Sequence, residues 1–384
     1  MPERPNILVI MTDQQKATAS HLYGNTFCQT PSMERLAREG NFGSAGNRAE
    51  VRVMAKLNVA VLGLGLGRQR ALGYLQNENA QLCAVCDIDA QRVGRFLSEH
   101  PEVRGYNDFG DMMRQEELDI VNVSTPDWMH IEHSTTALQH GCHVLLEKPM
   151  VTSLADAEKL VKAVEESGMK LMVGQNYRRI PIAVLAKQLL DEGALGTIFH
   201  AATETYQNKF GQFARSPWYA SKEHPRAALL GTGIHAVDML RWLIGEVEEA
   251  FAYSNHVAYP DFPDDDFITA IYRFSSGVIG RVGVAYASVL PRSASGLTLR
   301  LYGTEGSLEN DKFFRSGSET GDWERREMPP TKESFWQEVD YFVTCILNDQ
   351  TPAVDVREGA RNVAACLAGV EAARTGKPVA PARF

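Results

Sequence analysis

The chain has 384 residues, of which 44% are hydrophobic and 23% are charged, a composition typical of a soluble globular protein with room for two domains. Its formal net charge of −9, from 39 basic and 48 acidic residues, argues against a general binder of nucleic acid or of anionic membranes. The longest apolar run near the N-terminus, Ile7 to Met11, is far too short for a signal segment or a membrane span. We therefore expect a cytoplasmic protein that binds neither nucleic acid nor membrane.

The first forty residues differ from the rest of the chain. Residues 4–15 and 30–40 resemble the opening of a sulfatase of the alkaline-phosphatase-like superfamily, in which the first strand ends in acidic metal ligands. A sulfatase also needs a Cys or Ser nucleophile in a C/S-x-P-x-R motif, and this motif does not occur in the sequence. We interpret residues 1–53 as a sulfatase-like extension and linker, and sulfatase activity is the least expected function.

A glycine-rich turn follows the first apolar strand beyond this extension. The strand that includes Val59 ends in glycines at alternate positions from Gly63 to Gly67, and an amphipathic segment runs from Arg68 to Gln76. Such glycines let the backbone approach a pyrophosphate, and the helix N-terminus supplies N–H groups and a positive dipole. The dinucleotide fingerprint is G-x-G-x-x-G/A, and here Arg68 takes the place of the third glycine.

The next apolar strand ends at an acidic residue. Asp87 lies 24 residues after Gly63, close to the spacing at which a carboxylate accepts hydrogen bonds from the adenosine ribose. Because a carboxylate repels a 2′-phosphate, Asp87 favours NAD over NADP, whereas Arg68 and Arg92 soften that preference.

Strands and helices alternate from Lys56 to Val173, and two of the strands end in Ser124-Thr-Pro126 and Glu147-Lys-Pro149. Alternation of this kind predicts an α/β Rossmann domain, a doubly wound parallel sheet with ligands at the carboxyl ends of its strands. We assign it residues 54–175. Helix caps are predicted at Asp89, Asp108 and Ser153.

After residue 176 the pattern changes. A helix from Leu229 to Ile244 is followed by runs that alternate in polarity, as antiparallel strands with one covered face do. Two closing helices, roughly Glu333–Asn348 and Arg357–Arg374, end the chain. We predict an α+β domain with a mainly antiparallel open sheet over residues 176–384.

Five motifs are shared with one known family: the glycine turn, Asp87, Thr125-Pro126, Glu147-Lys148-Pro149 and Gly233-Ile-His235-x-x-Asp238. On these motifs the chain resembles the Gfo/Idh/MocA oxidoreductases from about residue 54 onward. That family includes glucose–fructose oxidoreductase and inositol dehydrogenases. The resemblance implies hydride transfer between NAD(P) and a hydroxyl of a sugar, inositol or related polyol. It also implies a homo-oligomer, a dimer or tetramer, because the open sheet of the second domain often mediates assembly in the family.

The resemblance also assigns cofactor contacts. It places residues 124–126 and His130 at the nicotinamide, Glu147 on the nicotinamide ribose and Lys148 facing the substrate, with the Lys148–Pro149 bond a candidate for the cis form. The cofactor-binding residues predicted in this way are Gly63, Gly65, Leu66, Gly67, Arg68, Asp87, Ser124, Thr125, Pro126, His130, Glu147 and Lys148.

Lys148, His235 and Asp238 are the candidate catalytic residues. Lys148 can donate to the reacting oxygen, and His235 is the candidate general base because imidazole titrates near the working pH. Many family members carry an aspartate four residues before this histidine, where this chain has Gly231. Asp238 and Glu204 are the candidates to replace that acid. The alternative role of Asp238 is an ion pair with Arg241.

Substrate contacts are predicted at Tyr177 and Arg178, which follow the last Rossmann strand, and at Trp218 and Tyr219, whose rings either stack on a sugar or anchor a loop. No metal site is expected. The histidines at positions 130, 133, 140 and 143 lack a common spacing and matching carboxylates.

Two other functions stay open. Some relatives of this fold use a bound nicotinamide transiently to ease elimination of a glycosidic bond, and they release an aglycone without net formation of NADH. A non-catalytic nucleotide-binding sensor is the second alternative, favoured by the missing acid at position 231 and opposed by the presence of Lys148 and His235.

Overall fold

A computed structural model of the protein describes residues 56–291, 296–330 and 334–384, so the sulfatase-like pattern of residues 1–40 lies outside the described residues. A six-stranded sheet forms the first layer, in the order β3-β2-β1-β4-β5-β6, and every neighbouring pair in it is parallel. The order reverses between β1 and β4, where doubly wound sheets bind dinucleotides. The strands are β1 (Leu57–Leu62), β2 (Ala80–Cys86), β3 (Arg104–Tyr106), β4 (Ile120–Val123), β5 (His143–Leu146) and β6 (Leu171–Val173).

Helices connect these strands and cover both faces of the sheet. The three predicted caps are confirmed, because the side chains of Asp89, Asp108 and Ser153 accept hydrogen bonds from backbone N–H groups in the first turns of their helices. Each cap satisfies donors that a helix N-terminus otherwise leaves without a partner. The helices are α1 (Gly67–Gln76), α2 (Ala90–Glu99), α3 (Phe109–Gln115), α4 (His130–Gln139) and α5 (Leu154–Ser167).

The central strands are apolar on both faces because helices cover both sides of the sheet. Asn122 in β4 is a polar residue with no exposed surface. Its side-chain amide donates to the hydroxyl of Ser124 over 2.9 Å. This hydrogen bond fixes the polar residue that directly follows β4 at the switch point of the sheet.

The second sheet has eight strands in the order β14-β13-β12-β11-β7-β10-β9-β8, antiparallel except for the parallel pair β7–β10. This confirms the predicted fold class. The strands are β7 (Ile198–Tyr206), β8 (Val247–Asn255), β9 (Phe267–Phe274), β10 (Ile279–Ala285), β11 (Leu297–Gly303), β12 (Gly306–Glu309), β13 (Lys312–Arg315) and β14 (Glu324–Arg325). The accompanying helices are α6 (Pro181–Asp191), α7 (Phe210–Arg215), α8 (Ala228–Gly231), α9 (Gly233–Ile244), α10 (Ser334–Leu347) and α11 (Val356–Thr375).

The helix predicted from Leu229 to Ile244 is two helices, α8 and α9, with Thr232 between them. Gly231 and Gly233 flank this break, and glycine weakens a helix interior. A Cβ at Gly233 would lie 2.7 Å from Val284 Cγ2 in β10. The glycine therefore lets the start of α9 approach the sheet closely.

Helices α9 and α11 pack against one face of the second sheet, and apolar side chains remain exposed on its opposite face. Ile271 and Ile279 are 46% and 42% exposed, and Tyr253 is 68% exposed. The register pairs Ile271 with Arg281 of β10 and with Phe251 of β8.

In the described residues, no helix is long and apolar enough to cross a membrane.

Helix α10 returns from the second domain to the Rossmann domain. Val339, Phe342 and Val343 join a buried cluster with residues of β1 and α1. A Cβ at Gly73 in α1 would lie 3.2 Å from the ring of Trp336, so the glycine allows close packing of the two helices. The Rossmann core is therefore completed by a helix from the last fifty residues of the chain.

Arg70 in α1 is fully buried and binds two carboxylates. One guanidinium nitrogen forms an ion pair with Glu147, directly after β5, and the other binds Glu338 of α10 at 2.9 Å. The guanidinium also lies 5.0 Å from the ring centroid of Phe335. We call Arg70, Glu147 and Glu338 the buried ion triad, and it joins α1, the end of β5 and α10.

We predict that Arg70→Met lowers the free energy of unfolding by about 3–5 kcal/mol, because it leaves two buried carboxylates without a cation. Urea unfolding followed by circular dichroism measures this loss. Arg68→Met is the matched control on the same helix. It removes an exposed ion pair with Glu99 and should cost at most about 1 kcal/mol. Equal losses in the two variants would contradict a dominant role for the triad.

Candidate active site

The glycine turn after β1 is packed against the end of β4. Gly63 has φ +89°, and a Cβ there would lie 2.5 Å from the carbonyl oxygen of Ser124. A Cβ at Gly67 would lie 3.0 Å from the Ser124 Cβ. At Gly65, in contrast, no heavy atom lies within 4 Å of the position of a Cβ. The turn is therefore closed toward the sheet and open on its outer side.

Helix α1 begins at this turn without a cap. No side chain accepts from its first N–H groups, and its first turn contains no acidic residue. The guanidinium of Arg68 binds Glu99 in α2 at 2.6 Å, and Leu66 is partly exposed. Open N–H groups and the positive end of the helix dipole fit an anion such as a pyrophosphate.

Asp87 holds the other side of the turn. Its carboxylate accepts from the Leu64 N–H at 2.7 Å and from the Asp89 N–H at 2.9 Å. Arg92 lies 3.5 Å from the same carboxylate. Asp87 thus stands at the end of β2 next to the turn, as the fingerprint requires for a ribose contact. The glycine turn, the uncapped helix and Asp87 together fit the adenosine and pyrophosphate parts of NAD.

His130 braces the loop predicted to lie at the nicotinamide. Its two ring nitrogens lie 2.9 Å from the Thr125 carbonyl oxygen and 2.8 Å from the Pro149 carbonyl oxygen, and the ring is almost fully buried. The hydroxyl of Thr125 is 3.0 Å from His133 Nδ1. His130 therefore connects the loop after β4, at Thr125, to the loop after β5, at the cis Lys148–Pro149 peptide. Its ring faces protein rather than a cavity.

Glu147 lies in the wall of a cavity of about 160 Å³ but is bound to Arg70. Burial alone would raise the pKa of Glu147, but Arg70 and Lys148 lower it below its ordinary value. Its contact to a nicotinamide ribose stays a prediction, and the structure adds the ion pair that fixes its carboxylate. The same cavity is lined by Leu66 of the glycine turn and by Lys148.

Lys148 donates to the carbonyl oxygen of Gly231 over 2.9 Å. Desolvation lowers the pKa of Lys148 to about 8, against the opposite effect of Glu147 and with the support of Arg226. The ammonium is thus held by a neutral acceptor at the cavity wall. A cation so placed can donate to the oxygen of a bound substrate.

His235, near the start of α9, lines the same cavity. Its Nδ1 is 3.0 Å from the side-chain oxygen of Gln175, and its ring stacks on Tyr177 with centroids 4.1 Å apart. Burial, and then Lys148 and Lys209, lower the pKa of His235 well below its ordinary 6.5. With Nδ1 donating to Gln175, the neutral ring keeps a lone pair on Nε2, as a general base requires.

Asp238 is not the partner of His235. Its carboxylate receives two hydrogen bonds from Arg178, at 2.8 and 2.6 Å, and a third from Asn362. Because it is fully buried in this network, the geometry gives Asp238 a structural role. The alternative pairing with Arg241 is not found either, since Arg241 binds Glu246, Glu358 and Asn362.

The other acid candidate and one substrate candidate also lie elsewhere. Glu204 in β7 binds Arg281 and Arg300. Arg281 alternates along β10 with the residues that face α9, so Glu204 is on the face of the sheet opposite to His235. Arg178 is bound to Asp238 and Glu358, which directs its guanidinium into the protein. Gln175, an amide rather than an acid, takes the place beside His235.

Two of the predicted substrate residues line the cavity, namely Tyr177 and Tyr219. Trp218 stacks on Tyr219 with centroids 3.7 Å apart. Arg226 lies over both rings, at 5.6 and 5.2 Å from their centroids. Tyr219 therefore borders the cavity, whereas Trp218 packs against Tyr219 and is not among the residues that line the cavity.

Several residues of the site were missed by the sequence analysis. Gln175 follows β6 of the parallel sheet, so the rule that ligands bind at the carboxyl ends of such strands would have selected it. Lys209 follows β7 of the second sheet, to which that rule does not apply. Arg226 lies in an irregular segment and forms a buried ion pair with Asp127. Nothing in its sequence context indicates this position.

In the described residues, no group of His, Cys, Asp and Glu is arranged to hold a metal ion.

Two family models match the chain. The model of the Gfo/Idh/MocA oxidoreductase family with an NAD-binding Rossmann fold matches residues 57–175, and the model of the Gfo/Idh/MocA C-terminal domain matches residues 184–309. Together the two models span more than half of the chain. The protein belongs to the Gfo/Idh/MocA oxidoreductases. This confirms the predicted family and identifies the chain as an NAD-binding oxidoreductase.

Individual family members show how far the similarity extends. The chain is 28% identical to a D-apiose dehydrogenase of Paraburkholderia graminis, over 83% of this chain and 88% of that protein. It is 26% identical to a levoglucosan dehydrogenase of Pseudarthrobacter phenanthrenivorans, over 66% of this chain and 73% of that protein. The structure of a myo-inositol 2-dehydrogenase from Lactobacillus plantarum has the same fold, with a TM-score of 0.73 and 21% identity, over 86% of this chain and all of that one.

We predict that Gly65→Ala raises the Kd for NAD by about tenfold or more, because the new methyl group enters the open space where the pyrophosphate approaches the turn. Since nothing within the protein contacts that methyl group, the free energy of unfolding should change by less than about 0.5 kcal/mol. Gly94→Ala, at another open glycine in α2, is the control and should leave Kd unchanged. Calorimetric titration measures the Kd for NAD of both variants. An unaltered Kd in Gly65→Ala would exclude the glycine turn as the pyrophosphate site.

Proposed function

We propose that the protein oxidises a hydroxyl of a sugar or related polyol with NAD as the hydride acceptor. The observation that carries this proposal is that Lys148, the neutral His235 and the glycine-turn residue Leu66 line one cavity. A proton donor and a proton acceptor therefore face the space next to the cofactor motif. The relatives named as apiose and levoglucosan dehydrogenases support a sugar as the substrate class.

His235 and Lys148 have different roles in the proposed reaction. When bound, NAD accepts the hydride from the carbon that bears the hydroxyl. His235 takes the hydroxyl proton, because desolvation keeps its ring neutral and Gln175 fixes the ring orientation. Lys148 donates to the oxygen and stabilises its developing negative charge. Tyr177 and Tyr219 line the cavity and are the aromatic residues that we expect to contact a sugar.

The experiment that tests this function is an assay of NADH formation with NAD and a panel of sugars and polyols, together with analysis of the products. Net NADH and a carbonyl product would support the dehydrogenase. An aglycone released without net NADH would instead support the redox-assisted glycosidase. Bound cofactor with neither product would support a nucleotide-binding sensor.

We predict that Lys148→Ala lowers kcat by about two to four orders of magnitude while the protein still binds NAD, because the glycine turn, the start of α1 and Asp87 are unaltered. In the unaltered enzyme, kcat for a neutral polyol should be constant near pH 7 and fall as pH rises through about 8. The sign follows because the protonated ammonium is the active form and is lost above its pKa. His235, with a pKa well below 6.5, should add no loss of rate between pH 6.5 and 7.5.

The pH dependence has an internal control. The pKa of Lys209 is also lowered to about 8, so Lys209→Gln shows which lysine causes the alkaline loss. That variant should keep the alkaline loss of kcat if Lys148 is responsible. A kcat that rises through pH 8 would make Lys148 the base and contradict the assignment of His235.

We further propose a homo-oligomer that forms through the exposed face of the second sheet, where Tyr253, Ile271 and Ile279 leave apolar surface in contact with solvent. A dimer or tetramer should appear in light scattering coupled to size exclusion. Ile271→Arg should shift it to the monomer without loss of secondary structure. Val257→Arg, at an exposed valine outside the strands, should not. A monomeric unaltered protein would refute the proposal.

A further inference from the structure

Two ammonium groups in the candidate cavity have only neutral partners. Lys148 donates to the carbonyl oxygen of Gly231 at 2.9 Å, and Lys209 donates to the side-chain oxygen of Gln212 at 2.8 Å. Both lysines line the cavity. Within the described ranges, no carboxylate lies within ion-pair distance of either nitrogen. Each ammonium therefore lacks a directly paired carboxylate, although Glu147 and Asp127 act on Lys148 from a longer distance.

The acidic groups near the cavity are already bound to other cations. Glu147 is the one acidic residue among those that line it, and Glu147 pairs with the buried Arg70. Asp127 pairs with Arg226, whose guanidinium is held over the rings of Trp218 and Tyr219. Each of these carboxylates is paired with an arginine, so a direct ion-pair partner for either lysine would have to come from a ligand.

The position four residues before His235 has no room for an acid. A Cβ at Gly231 would lie 2.5 Å from the hydroxyl of Tyr286 and 2.8 Å from Nε of Arg226. The guanidinium of Arg226 thus lies where a carboxylate side chain would extend, and Tyr286, which also lines the cavity, is fully buried behind it. An acidic side chain at position 231 would therefore have to displace Tyr286 and Arg226.

We infer that the substrate is a sugar acid whose carboxylate binds Lys209 while its reacting hydroxyl lies at Lys148 and His235. This inference rests on the proposed function and names the substrate class of the same cavity. An ammonium and a carboxylate form a charge-assisted hydrogen bond, which is stronger in a desolvated cavity than in water. The anion also relieves the repulsion between the two lysines.

Lys209 is well placed for this contact. It follows β7, and its backbone N–H donates to the carbonyl oxygen of Tyr286 at 2.7 Å, which fixes the start of its side chain. Burial, and then Lys148 and Arg226, lower the pKa of Lys209 to about 8, in keeping with a cation that has no anionic partner. A single flexible ammonium matches one carboxylate. Phosphate dianions are usually bound by several donors, and Nη1 of Arg226 is committed to Asp127.

The test compares acids with uncharged analogues of the same shape. D-glucuronate and D-gluconate are assayed against their primary amides in the unaltered enzyme, Lys209→Gln and Lys209→Arg. We expect kcat/KM for the acids to exceed that for the amides in the unaltered enzyme, and Lys209→Gln to remove this preference by about tenfold or more through KM. Lys209→Arg should keep most of it. Lys222→Gln, at an exposed lysine, is the control and should behave like the unaltered enzyme.

Three outcomes would overturn the inference: equal rates for acids and amides in the unaltered enzyme, an unchanged acid preference in Lys209→Gln, or a clear preference for a sugar phosphate over both. Circular dichroism and the Kd for NAD confirm that each variant is folded. If none of these compounds is oxidised while another sugar or polyol is, the inference fails and the proposed function stands. If no compound of either panel is oxidised, the proposed function fails. Calorimetric binding of the acids and amides to the NADH-saturated protein then still decides the inference.

Discussion

The buried ion triad is the constraint on which the rest of the structure depends. Arg70 lies in the helix that begins at the glycine turn, Glu147 precedes Lys148 in the chain, and Glu338 belongs to a helix that arrives from the far end of the sequence. A fully buried guanidinium is tolerated only where carboxylates bind it well. The cofactor helix, the strand end that presents Lys148 and the closing helix α10 are therefore fixed to one another by a single side chain.

The same triad sets the charge of the cavity. Because Arg70 binds the carboxylate of Glu147, the neighbouring Lys148 donates instead to the neutral carbonyl group of Gly231. Burial raises the pKa of Glu338 above its ordinary value, and Arg70 acts against that rise. Glu147 is thus held at Arg70, and Lys148 and Lys209 donate to neutral acceptors.

Much of the fold was predictable from local signals. The cap residues Asp89, Asp108 and Ser153 act within one turn of their own positions, so the sequence near each is enough to identify it. The alternation of strand and helix patterns predicted the parallel sheet, because each pattern is also a local property of the sequence. The short strands β12 to β14 were missed, because two to four residues of mixed polarity carry no clear periodicity.

The candidate site was less predictable because its pairings join distant segments. Lys148 and His235 were identified from their motifs, but Asp238 binds Arg178 and Asn362, sixty and 124 positions away. The partner of His235 is Gln175, also sixty positions distant. Helical spacing places Asp238 on the same face as His235, yet it cannot report which side chain another segment brings to that face. The contribution of Arg226 likewise depends on where an irregular segment folds.

The two cavity lysines and the proposed chemistry depend on each other. Desolvation lowers the pKa values of both Lys148 and Lys209 to about 8, so each is close to losing its proton near neutral pH. A bound carboxylate at Lys209 favours the charged form of both lysines by Coulomb attraction. Lys148 would then keep the proton that it needs to stabilise the reacting oxygen. His235 would stay neutral because its desolvation persists once the cavity is filled. In this arrangement the charge of the substrate itself sets the protonation state of the donor that acts on it.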